Sequence, residues 1–86
     1  MHKATLRVCG PRRLVGAVAE SLEAEAMQPA APSKGSVEVS REGECIMIVV
    51  GSESLSGLRA LVNSYLYLLH AAWSALEAAG ELAAGA

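Results

Sequence analysis

Cys9 and Cys45 are the side chains of this 86-residue sequence best suited by type to nucleophilic chemistry. A reactive thiol needs a base or a cation arrangement that lowers its pKa. No histidine stands near either cysteine in the sequence, so both read as small hydrophobic residues. Two cysteines do not build a disulfide scaffold, and no C-x-x-C or paired Cys/His spacing offers a structural zinc site. Two separate cysteines fit a reducing compartment. His70 has no second histidine or carboxylate cluster beside it and reads as a surface or partly packed side chain. The nine acidic residues are all glutamates. No paired-carboxylate motif, G-x-x-x-x-G-K or G-x-G-x-x-G is present. The expectation is therefore no catalytic residue, no cofactor and no metal.

What remains is recognition. The net charge of −2 argues against a free-standing nucleic-acid binder. Yet Lys3, Arg7, Arg12 and Arg13 crowd into the first 13 positions. Phosphate contacts need only positive charge and reach, so Lys3, Arg12, Arg13 and Lys34 are candidates for them. Hydrophobic residues make up 52% of the chain against 19% charged, more apolar surface than one small core hides. Disulfides and metals being set aside, oligomerisation is the remaining aid to stability. The N-terminus has no apolar core of a signal peptide. Residues 61–73, the most apolar stretch, are too short for a membrane span and are interrupted by Asn63, Ser64 and His70. A soluble, cytoplasmic protein with no membrane contact is expected.

Five elements position these residues. Residues 3–9 alternate, with Ala4, Leu6 and Val8 on one side and Thr5, Arg7 and Cys9 on the other, as in a half-buried strand. Gly10-Pro11 breaks it, and Pro11 suits a first helical turn. Over residues 11–26, Leu14, Val15, Val18, Ala19, Leu22 and Ala26 share one helical arc. Gly16 interrupts that helix at a cost of about 1 kcal/mol against alanine, which suggests a close approach there. Residues 27–35 form a loop. Two short strands follow, residues 36–41 and 45–50, joined by a hairpin turn at Glu42-Gly43-Glu44 with Gly43 at positive φ. Ser54 is placed to cap a long helix from Leu55 to about Ala79, ended by Gly80, with residues 80–86 a fraying tail.

The fold class is α+β, a single domain over residues 1–86 in the order β-α-β-β-α. The hairpin makes the second and third strands antiparallel. Inserting the third between the others gives a three-stranded antiparallel sheet of order 1-3-2 with two helices on one face. This is a ferredoxin-like fold without its last strand. The first strand's outer edge stays open, and Cys9, Cys45, Met47 and Val49 face away from the helices. A second copy covering that edge or that face predicts a homodimer, with Thr5, Arg7, Cys9, Cys45, Met47 and Val49 as its candidate interface.

On the long helix, Leu58, Leu61, Val62, Tyr65, Leu69, Ala72, Trp73 and Leu76 gather on one arc. A polar strip of Arg59, Asn63, His70 and Glu77 runs beside it. Beyond lies a strip of small residues, Ala60, Ser64, Ala71, Ala75 and Ala78. Small side chains admit a second helix at close range. Alanine's helix propensity is the competing explanation. Tyr67, on the polar side, is an interface candidate, because aromatic residues are enriched in interface cores.

The segment LSGLRALVNSYLYLL, residues 55–69, resembles the signature of the Pcc family, with Leu58, Arg59, Ala60, Asn63, Ser64, Tyr65 and Leu66 at the motif positions. The resemblance implies a small, non-catalytic, dimeric subunit of the KEOPS (EKC) complex. That assembly installs the threonylcarbamoyl group on the tRNA adenosine beside the anticodon. It implies docking to a Kae-type ATP-binding catalytic subunit, for which the helix faces offer Ala60, Asn63, Ser64, Tyr67, Ala71 and Ala75 as candidates. A Bud-type kinase and a Cgi-type subunit complete the assembly. tRNA contacts would fall to Lys3, Arg12, Arg13, Lys34 and Arg59. The alternative is a stand-alone nucleic-acid-binding dimer of ferredoxin-like or KH-like shape, although the G-x-x-G loop of a KH domain is missing.

Overall fold

The computed structural model describes residues 1–26 and 35–85, with side chains described as far as Ala79. Its elements are β1 (His2–Cys9), α1 (Arg12–Ala26), β2 (Ser36–Glu42), β3 (Cys45–Ser52) and α2 (Leu55–Gly85). The sheet is antiparallel throughout, in the order β1-β3-β2. Both the element order and the central place of β3 are those expected. The apolar run Cys45–Val50 belongs in the middle because only a central strand is covered by a strand on either side.

Register converts alternation into two faces. Ala4, Val50 and Val37 form one row across the sheet, and Leu6, Ile48 and Val39 the next. These rows point toward the helices. Ile46, Ile48 and Val50 are fully buried there against Val15, Val18, Ala19 and Leu22 of α1 and Tyr65 and Leu69 of α2. Burying a side chain of this size stabilises the fold by about 1.5–3 kcal/mol, so this cluster is the main source of cohesion. The opposite face carries the rows Thr5–Val49–Glu38 and Arg7–Met47–Ser40.

Local chemistry sets the joints. Gly43 has φ 59°, the left-handed conformation that the tight β2–β3 hairpin requires. The Gly10 amide donates to the Glu44 carbonyl at 3.0 Å, and the Val15 amide donates to the Pro11 carbonyl at 2.9 Å, which starts α1. Ser54 caps α2 as anticipated: its Oγ accepts the Gly57 amide at 3.0 Å. Two glycines allow close approach. A Cβ on Gly10 would lie 2.5 Å from the Trp73 ring, and one on Gly16 would lie 3.0 Å from the Arg41 guanidinium.

One boundary differs from expectation. The helix α2 does not end at Ala79 but runs 31 residues to Gly85. Gly80 costs about 1 kcal/mol against alanine, and the alanine-rich sequence on both sides favours helix strongly enough to carry through it. The loop expected at residues 27–35 lies outside the described residues, apart from Gly35.

Candidate functional site

The outer face of α2 is a surface that the core leaves uncovered. A helix advances about 100° per residue, so Ala60, Ser64, Tyr67, Ala71 and Ala75 fall on the side opposite Tyr65 and Leu69. All five are exposed, as are Asn63, Ser74 and Ala78 on the same side. Tyr67 is 74% exposed while its neighbour Tyr65 is 7% exposed. Leu66, 45% exposed, extends the apolar character toward Arg59 and His70, and sequence reasoning did not single it out for this surface. The charges bordering this face are Arg59 near its start and Glu77 near its end. The Glu77 Oε2 accepts the Trp73 indole N–H at 3.3 Å. A face this poor in charge and long side chains suits contact with another helix.

The inner side of the same helix holds Tyr65 between the two helices. Burial pushes its phenol pKa upward, and the negative charge of Glu25 on α1 adds to the rise. Tyr65 thus stays protonated and packed, consistent with a structural role.

The candidate phosphate-binding residues do not form one patch. Lys3 is exposed near the start of β1, while Arg12 and Arg13 are exposed in the first turn of α1, beyond the other end of that strand. Six residue steps along the strand separate Lys3 from Cys9, about 20 Å. Arg59 is exposed on α2, and Lys34 lies outside the described residues. The structure adds a residue that sequence reasoning missed. Arg41 reaches along α1 and donates from its Nη2 to the Arg12 carbonyl at 3.4 Å, over Gly16. Its place in the inward row with Val8 and Ile46 brings three arginines, Arg12, Arg13 and Arg41, to one end of the molecule. The unexplained Gly16 was the signal that something packed there.

On the sheet's open face, Thr5 and Arg7 are exposed and Met47 and Val49 are half-buried. Here one expectation is overturned. Cys9 and Cys45 are not two small hydrophobes but a disulfide. The register places them directly opposite each other. The Gly10–Glu44 hydrogen bond makes theirs a non-hydrogen-bonded pair, the kind in which side chains on neighbouring strands come closest. Their Cα atoms are 4.0 Å apart. The cysteines therefore no longer argue for a reducing compartment.

Among the described residues, no group of three or more His, Cys, Asp or Glu side chains is placed to hold a metal. No described helix is long and apolar enough to cross a membrane. The arrangement offers surfaces for binding: one helix face, one sheet face and a cluster of arginines.

No curated protein matches the chain at a significant level. The family described as "Transcription factor Pcc1" matches over residues 3–77. With a match that reaches from β1 into the later turns of α2 and takes in every element of the fold, the chain belongs to the Pcc1 family, a family of non-catalytic KEOPS subunits linked to tRNA processing.

Proposed function

We propose that this chain is a scaffold and dimerisation subunit of KEOPS. It supports threonylcarbamoylation of the tRNA adenosine beside the anticodon without doing the chemistry itself. The outer face of α2, through Ala60, Asn63, Ser64, Tyr67, Ala71 and Ala75, docks a helix of the Kae-type catalytic subunit. A second copy pairs along the open edge of β1, next to Thr5 and Arg7, and leaves the sheet face that carries Cys9 uncovered. The Bud-type kinase and the Cgi-type subunit join through the catalytic subunit, and the complex works in the cytoplasm. Arg12 and Arg13, with Lys3, Lys34 and Arg59, assist in holding tRNA, and Arg41 joins them.

The observation that carries this reading is the outer face of α2: exposed, built from small residues and tyrosine, and nearly free of charge in a member of this family. A solvated helix face normally carries Lys, Glu and Arg. Co-expression with the Kae-type subunit tests the reading. The wild-type chain is expected to co-elute with that subunit. A variant with Ala71→Arg and Ala75→Arg is expected to fold and to elute at the same size alone, yet to lose the partner. Co-elution that survives both substitutions would remove the α2 face from the account.

A further inference from the structure

We propose that the Cys9–Cys45 bond is a redox-sensitive staple, opened by a dithiol reductant through attack at Cys9, that controls the stability of the junction between β1 and α1.

Three observations support this. The two residues differ in exposure: Cys9 is exposed while Cys45 is 8% exposed. An incoming thiolate therefore meets the Cys9 sulfur first. Arg7 lies exposed on the same face two residues away, so positive charge borders the approach. Glu42, which pairs with Cys45, borders its other side.

The bond also sits where the chain changes direction. Immediately after Cys9 come Gly10, whose amide bonds Glu44 and whose Cα faces Trp73, and Pro11, whose carbonyl starts α1. Within the next turn the Arg12 carbonyl receives Arg41. Cutting the staple releases the end of β1 at the point on which these contacts depend.

The third observation concerns size. The bond closes a sequence separation of 36 residues in an 86-residue chain. Closing so long a loop restricts the unfolded chain substantially, and a domain this small has little other stability in reserve.

The chemistry balances. One thiolate of the dithiol attacks the Cys9 sulfur, forms a mixed disulfide and expels the Cys45 thiolate, which takes up a proton. The second thiol of the reductant, as its thiolate, then attacks the reductant's own sulfur in that mixed disulfide and releases the Cys9 thiolate. The reductant leaves as a cyclic disulfide, oxidised by two electrons, and the protein holds two thiols.

The test uses the whole chain purified in air, with dithiothreitol as the dithiol. Iodoacetamide is expected to add to no cysteine before reduction and to both after it. The unfolding midpoint is expected to fall by about 10 °C or more on reduction and to return on reoxidation. A double Cys9→Ser, Cys45→Ser variant should match the reduced protein and ignore the reductant; if it does not fold, the reversible shift of the wild type decides alone. Glutathione trapped as a mixed disulfide should map to Cys9. Two free thiols in the untreated protein, an unchanged midpoint after full reduction, or an adduct on Cys45 in place of Cys9 would overturn the proposal.

Discussion

The two faces of α2 are both poor in charge, yet they differ in what covers them. The inner face, with Tyr65 and Leu69, is sealed by α1 and the sheet. The outer face, with Ala60, Ser64, Tyr67, Ala71 and Ala75, meets nothing in the described chain. Charge depletion on the inner face is explained by burial. The outer face shares the depletion without the burial, and a surface of that kind is expected to bind. Side-chain size separates them as well: the inner face is built of large residues that fill a core, the outer one of small residues that admit another backbone.

Substitutions can break this contrast or sharpen it. The largest effect belongs to the inner face. Leu69→Ala should lower stability by about 2–5 kcal/mol, read from the urea midpoint, because it empties part of the core. Ala75→Leu on the outer face should move the same midpoint by no more than about 0.5 kcal/mol. Equal losses at the two positions would mean that the outer face is packed too, and the contrast would fail. At the start of the helix the expected effect is intermediate. Ser54→Ala deprives the Gly57 amide of its acceptor and should cost about 1 kcal/mol, again by urea unfolding.

The smallest effect concerns Tyr65. Its pKa is raised in the folded state above the ordinary 10.0. A raised value means that the contribution is intact below the unfolded pKa and is lost as pH climbs through the folded one. Stability should therefore fall above pH 10, and the loss should be shallower in Tyr65→Phe when both proteins are unfolded by urea across that range.

The same contrast shows what the sequence made legible. Period-two alternation in β1 and β2 and the helical arcs of α1 and α2 revealed both faces of those four elements. The turn at Gly43 and the cap at Ser54 followed from local chemistry alone. Distances across the sheet were another matter. Cys9 was legible on the same face as Thr5, and Cys45 on the same face as Met47, in strands expected to be neighbours. Whether they stood opposite each other depended on the register between β1 and β3. No tight turn links those strands, so nothing local sets their offset, and the disulfide stayed hidden. Arg41 was missed for a related reason: its partner at Arg12 is 29 residues away and meets it only across the packed helix. Gly80 misled because a glycine near a helix end looks like a stop, whereas the alanines around it carry the helix onward. The residues proposed for docking were legible as a face, since a helical arc needs no tertiary information, but an arc does not say what lies against it.

Two adjacent tyrosines provide the most direct test of the central claim. Hydroxyl-radical footprinting of the free chain should oxidise Tyr67, 74% exposed, readily and Tyr65, 7% exposed, hardly at all. In complex with the Kae-type subunit, Tyr67 should become protected several-fold and Tyr65 should not change. If Tyr67 is oxidised equally in the free chain and in the complex, the outer face of α2 is not where the partner binds.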